Sequence, residues 1–185
     1  MAYYGLSFPY IAKLDPKTNT YTEGFKCGKA VGTDITPNYN EASLYGDNEL
    51  AEYVKEFKDA DVAMTVTTLP IVAMSVMFGH TVDETEGKVT CAAGDVSKYV
   101  GYGICVQEIK DGEISYIAAW LPKVKFGDPG ESFTTKGESI ALATPSISGK
   151  AAPDHLGNWR YKQTFATADE AETWLKEKAG ITVAE

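Results

Sequence analysis

The amino-acid sequence predicts a mainly β protein, sandwich- or barrel-like, with one or two α-helices at its side. Three observations carry this expectation. Two apolar stretches flank Asp111-Gly112, a dipeptide suited to a two-residue hairpin turn. Val62, Met64 and Val66 alternate with Ala63, Thr65 and Thr67, the period of a strand. Helical signals are confined to two short stretches, one opened by Pro70 and one by Thr167.

The first hairpin is expected over Tyr99 to Lys110 and Glu113 to Lys125. Its turn fixes the register, pairing Lys110 with Glu113, Ile109 with Ile114, Gln107 with Tyr116, Val106 with Ile117, and Ile104 with Ala119. One face then carries Cys105, Ile109, Ile114, Tyr116 and Trp120, and the other Tyr102, Ile104, Val106, Ile117 and Leu121. Both faces are apolar, so both need cover, from a second sheet, a helix or a neighbouring subunit. Gly101 and Gly103 inside this pattern mark a bend or close packing.

A second hairpin is expected over Leu50 to Lys58 and Val62 to Leu69, turned at Asp59-Ala60-Asp61. Further strands are expected at Phe25 to Thr36, Lys88 to Ala92, Ser139 to Ser148 and Trp159 to Phe165. Pro70 opens a short, nearly all-apolar helix that Gly79 ends. Thr167 and Glu170 have capping-box spacing, Ala171, Trp174 and Leu175 form an inward stripe, and Gly180-Ile181 suits a Schellman ending. No linker or repeat divides the chain. We read residues 1–185 as one domain, with an N-terminal arm over about 1–20, an extended loop over about 36–48 and a C-terminal helix over about 168–179.

Composition narrows the function. The chain has 185 residues, 44% of them hydrophobic, enough for a real core and too many for wholesale disorder. Its formal charge of −9 argues against a protein built to grip nucleic acid, since grip comes from Lys and Arg neutralising phosphates. Cys27, Cys91 and Cys105 are scattered and odd in number, and read as reduced thiols. The N-terminus has no secretory pattern, and the longest apolar run is about half a membrane span, so a soluble cytoplasmic product is expected.

Chemistry-bearing motifs are sparse. His80 and His155 form no metal-type pair. The stretch His80-Thr81-Val82-Asp83-Glu84 follows a helix end, where a histidine commonly answers the carbonyl dipole, and reads as structural rather than as a ligand set. No phosphate-cradling glycine loop or nucleophile elbow appears. No catalytic residue, cofactor or metal site is therefore expected. Tyr3, Tyr4, Tyr10, Tyr39, Tyr45 and Tyr53 suit sheet and subunit-interface packing better than a stacking platform for sugars or bases.

Ordered along the chain are Tyr4-Gly5-Leu6, Gly28-Lys29-Ala30, Ile35-Thr36-Pro37-Asn38-Tyr39-Asn40, and Ala42-Ser43-Leu44-Tyr45-Gly46-Asp47-Asn48. Ala51-Glu52-Tyr53, Gly79-His80-Thr81-Val82-Asp83, Tyr99-Val100-Gly101-Tyr102-Gly103 and Trp120 through Phe126 follow. Thr135-Lys136-Gly137-Glu138, Thr144-Pro145 and Phe165 through Ala171 close the series. In this order the chain resembles the major tail proteins, or tail-tube proteins, of long non-contractile phages and prophages of Gram-positive bacteria.

The resemblance implies a tail-tube fold in which six subunits form a ring, their sheets join into an inner barrel, and rings stack into a hollow tube. It implies a virion tail protein made in the host cytoplasm, wrapped around a tape-measure protein and passing DNA during ejection, with terminator and distal tail proteins as further partners. On this reading Pro37, Tyr39, Leu44, Tyr45 and Asp47 are candidate inter-ring residues. Glu52, Glu56, Ala63, Thr65 and Thr67 are candidate lumen residues. The alternatives are a monomeric β-sandwich that binds carbohydrate or a small ligand, or another ring-forming tail part such as a terminator, a connector or a contractile-tail inner tube.

Overall fold

A computed structural model of the chain describes residues 2–131, 135 and 143–182. The Asp111-Gly112 hairpin is its centre. β7 (Tyr99–Lys110) and β8 (Glu113–Phe126) pair in the register derived from the turn, and Asp111 and Gly112 both take positive φ, at 53° and 88°. Over most of their length both apolar faces are covered by this chain itself, while Ile109 and Ile114 beside the turn stay exposed and Val106 and Ile117 are only partly buried.

The strands form one eight-stranded antiparallel sheet. On one side of the central hairpin lie β1 (Ala2–Asp15) and then β2 (Thr20–Lys26). On the other side β8 forks. Its Tyr116–Trp120 stretch pairs with β10 (Tyr161–Phe165), and Val124–Phe126 pairs with β9 (Ser146–Ala151). Beyond β9 come β4 (Glu49–Val66) and β3 (Ala30–Gly46). A separate ribbon joins β5 (Thr81–Asp83) to β6 (Lys88–Thr90).

The fork lets the β9–β4–β3 leaf curl over one face of the central hairpin. Val62, Met64, Val66 and Ile147 from that leaf share a core with Tyr102, Leu121, Val124 and Phe126. The short helix α1 (Ile71–Val76) adds Ala73 and Val76 to it. The Tyr102 hydroxyl crosses this core to donate to Thr33 Oγ1 at 3.0 Å, tying β7 to β3.

The opposite face is closed by α2 (Ala168–Lys178). The capping box at Thr167 and Glu170 is formed, and Gly180 N–H and Ile181 N–H return to the Glu177 and Lys176 carbonyls in a Schellman ending. Ala171 and Leu175 press on Tyr10, Cys105, Ala118 and Trp120. The Trp120 indole lies flat across β7, so a Cβ at Gly101 would collide with it and one at Gly103 would come within 2.7 Å. The two glycines are there for close packing. Tyr10 Oη donates to Glu172 at 2.7 Å, anchoring the helix to β1.

Four expectations need correction. The N-terminal segment is not an arm, because Ala2–Asp15 is a strand that pairs with β7 from Ala2 to Lys13 and with β2 from Tyr10 to Asp15. Residues 36–46 are not a loop but the distal part of β3, and Asp47-Asn48 are the turn that follows it. The second hairpin turns at Asp47-Asn48, both at positive φ, and not at Asp59-Ala60-Asp61. Ala60 is instead fully buried mid-strand, paired with Pro37 on one side and Ala151 on the other. The strand expected over Phe25 to Thr36 is interrupted at Cys27–Lys29, where Gly28 has φ 56°. Of the strand expected over Ser139 to Ser148, residues 139–142 lie outside the described residues, and β9 begins at Ser146.

Leu175 is buried at the centre of the helix–sheet contact. Leu175→Ala should cost about 2–5 kcal/mol, the usual range for a leucine cavity. Urea unfolding followed by far-ultraviolet circular dichroism should show a lowered midpoint. An unchanged midpoint would mean that α2 does not close this face.

Candidate assembly surfaces

β3 and β4 are 17 and 18 residues long, well beyond a typical strand. β9 pairs with β4 only from Ala60 to Thr65. From Tyr39 to Phe57 the two strands pair, among the described residues, only with each other, and they leave the body as a two-stranded arm ending at Asp47-Asn48. Leu44 is 64% exposed and Tyr45 69%, and Leu50, Tyr53 and Val54 are exposed with them.

Register decides what each face of the arm carries. β4 skips Lys58 in pairing Asn38 with Asp59 and Tyr39 with Phe57, which is a β-bulge. The extra residue inverts the alternation of β4, so residues that would lie on opposite faces come to share one. The core-side face carries Tyr39, Glu41 and Ser43 opposite Phe57, Lys55 and Tyr53.

Trp159 stacks on Phe57 at 4.8 Å, Tyr39 meets Phe57 edge-on at 6.2 Å, and Lys55 Nζ lies 4.4 Å above the Tyr39 ring. Lys55 also pairs with Glu41 at 2.6 Å. Its ammonium, and after it the Tyr53 hydroxyl, holds Glu41 below the ordinary carboxylate range. This ladder stiffens the arm where it leaves the body.

The opposite, outer face is acidic. It runs from Asp34, Thr36, Asn38, Asn40, Ala42 and Leu44 on β3 to Ala63, Asp61, Asp59, Glu56, Val54 and Glu52 on β4. Asn38 Nδ2 donates to Asp59 and Asp61, at 2.7 Å each, and Lys150 pairs with them at 3.2 and 2.8 Å. Among the described residues no cation lies within ion-pair distance of Glu52 or Glu56.

The sequence-expected residues therefore fall as follows. Tyr39, Leu44, Tyr45 and Asp47 are on the arm, while Pro37 is at its root, paired with Ala60. Glu52, Glu56 and Ala63 share the outer face because of the bulge, and Thr65 closes it at the far end of β4. Thr67 lies beyond β4, where its hydroxyl accepts from Lys29 N–H at 3.0 Å. The tyrosines form no single platform, since Tyr10 is buried under α2 whereas Tyr39, Tyr45 and Tyr53 ride on the arm.

Elsewhere, His80 is buried between two carboxylates, Nδ1 at 2.7 Å from Asp95 and Nε2 at 3.3 Å from Asp128. Asp83 is turned to the backbone N–H groups of Thr85 and Glu86 instead. The described residues contain no cluster of three or more metal-ligating side chains. Burial pushes the Cys27 and Cys105 thiols up to about 12 and about 11, which keeps both protonated near neutrality. A crevice of about 370 Å³ lies among Tyr21, Trp120, Pro122, Asp154 and Tyr161. Trp120 Nε1 is buried with no hydrogen-bond partner among the described residues, and Tyr21 gives its own hydroxyl proton to the Pro122 carbonyl at 2.8 Å. No helix of the described residues is long and apolar enough to cross a membrane.

No protein-family model and no curated protein matches the chain. The chain has a mainly β fold, curled around one hairpin and flanked by helices, that extends an exposed two-stranded arm.

The acidic face makes a titration prediction. Asp59 and Asp61 both sit below the ordinary carboxylate value, through the Asn38 amide first. A depressed folded pKa means that the stabilisation is present above the unfolded value and lost as pH falls through the folded one. Carboxyl carbon chemical shifts should place both midpoints below that of a free aspartate. Asn38→Ala should raise both, and midpoints that stay put would remove Asn38 from this role.

Proposed function

We propose that this chain is a self-assembling structural subunit of a hollow tube, a tail-tube protein whose rings of six stack head to tail to pass DNA. The observation that carries the reading is the arm. A two-stranded ribbon alone in water is marginal, and both of its outer edges present unpaired N–H and C=O groups. Leucine, valine and tyrosine side chains along such a ribbon gain free energy only when another surface covers them.

Edge pairing supports the ring. The described sheet has edges at β2, at β3 and, on the fork, at β10, and a strand from a neighbour laid against one of them satisfies its free backbone groups. The acidic outer face of β3 and β4 suits a lumen, because a wall of carboxylates repels phosphate and lets DNA slide. Six copies carry −54 formal charges (6 × −9) before counterions. The long resemblance to tail-tube proteins points the same way. In this reading the protein has no catalytic step, and its partners are copies of itself, a tape-measure protein and the proteins that end the tube.

The test is electron microscopy and sedimentation of the purified chain across a range of concentrations. Rings or hollow tubes are expected. Cutting residues 40–56 and joining Tyr39 to Phe57 through an Asn-Gly turn should leave a folded body that no longer stacks. Removing Pro37 as well would break its pairing with buried Ala60 and confuse folding with assembly. A chain that stays monomeric at every concentration, and also with a tape-measure protein present, would overturn the proposal.

A further inference from the structure

The curled sheet does not close at the end from which the arm departs. There a groove of about 340 Å³ opens between the leaves, floored by Ile35, Ile104, Val106 and Ile117 and flanked by Arg160 and Lys162. Ile104 is almost buried, but Val106 and Ile117 remain partly open to solvent. Arg160 lies over the Trp159 ring at 4.3 Å. Among the described residues neither Arg160 nor Lys162 has a carboxylate within ion-pair distance. Burial, and then the charge of Arg160, push the Lys162 ammonium below the ordinary lysine value. Two adjacent unneutralised cations beside an apolar floor call for an occupant that is apolar and acidic at once.

The arm tip has that composition. Between Leu44 and Glu52 it places Leu44, Tyr45 and Leu50 beside Asp47, Glu49 and Glu52, with no basic residue among them. From Tyr39 to Phe57 the arm carries five carboxylates and one lysine, and that lysine is paired with Glu41. The tip cannot reach its own groove. The groove adjoins the arm root, since Arg160 rests on Trp159 and Trp159 on Phe57, whereas six residues of strand put the tip about 20 Å away.

We infer that the arm tip of one copy seats in this groove of the next copy, the paired Tyr45 and Leu50 on the apolar floor and its carboxylates against Arg160 and Lys162. The inference rests on the assembly reading above and names the surface that receives the arm. Each copy offers one tip and one groove at different places, so the contact is heterologous and continues along an axis instead of closing on itself.

Two experiments decide it. The photo-reactive residue benzoylphenylalanine placed at Leu50 should yield intermolecular cross-links to peptides containing Ile104, Val106 or Ile117. Cross-links confined to other surfaces, or to residues 132–142 of a neighbour, would overturn the inference. Charge reversal by Arg160→Glu with Lys162→Glu should raise the concentration for half-assembly at least tenfold, and adding Glu49→Lys with Glu52→Lys should recover part of that loss. Because β10 carries Lys162, thermal unfolding must show the doubly reversed chain to be folded. If it is not, the cross-link, made on an unaltered groove, decides alone. Reversed chains that assemble like the original, while deletion of residues 40–56 abolishes stacking, would sink the groove and leave the assembly reading standing. A chain that never assembles sinks both.

Discussion

The structure depends on one constraint: the β7–β8 hairpin is apolar on both faces and neither can be left to water. A large side chain such as Trp120, Tyr102 or Leu121 contributes about 1.5–3 kcal/mol when buried, so each uncovered face would cost several such terms. The chain meets the constraint twice and differently. One face receives the curled leaf of β9, β4 and β3 together with α1, and the other receives α2. The fork in β8 follows from this, because a flat continuation of the sheet would leave the inner face bare. The glycines at 101 and 103 follow as well, since the indole of Trp120 needs β7 to be smooth beneath it.

The arm is the remainder of that arrangement. β3 and β4 are needed over the core only as far as Pro37 and Ala60, yet they run on for the length of the arm. Among the described residues no third strand and no helix follows them there. The bulge at Lys58 marks the transition and has two consequences. It keeps Phe57 and Tyr39 on the core side, where Trp159 braces them, and it brings Glu52 and Glu56 into line with Asp59 and Asp61. A stiff root and an acidic face that continues along the arm thus come from a single inserted residue. The same geometry leaves a cationic, apolar-floored groove at the arm root.

The parts of the fold legible in the sequence were those with local signatures. Asp111-Gly112 fixed a register that holds from Lys110–Glu113 to Tyr102–Leu121 and shifts by one residue beyond it, and Thr167, Glu170 and Gly180 marked both ends of α2. The two-sided apolar pattern correctly required cover on both faces, and the cover proved to be intramolecular. The misreadings share a physical cause, which is interrupted alternation. β1 contains residues at positive φ at Gly5 and Phe8, with register shifts beside them, so its period of two is broken. Asp59-Ala60-Asp61 looks like a turn by composition, but its carboxylates sit on an outer face held by Asn38 and Lys150, while Ala60 is buried between neighbouring strands. Asp47-Asn48 could have been found as the turn, since both residues tolerate positive φ. The composition of residues 36–48, turn formers with Tyr39, Leu44 and Tyr45, suggests a loop, whereas the structure forms a ribbon there. The groove was invisible in the sequence because its walls come from strands far apart along the chain.

Hydrogen exchange along the arm, measured in dilute and in assembled protein, tests the central claim most directly. The account predicts that amides from Tyr39 to Phe57 exchange rapidly at low concentration, as a ribbon with two free edges must. Those amides should become strongly protected on assembly, while amides in β7 and β8 are protected in both states. Arm amides that exchange equally fast in the assembled protein, or that are already fully protected in an isolated monomer, would contradict it.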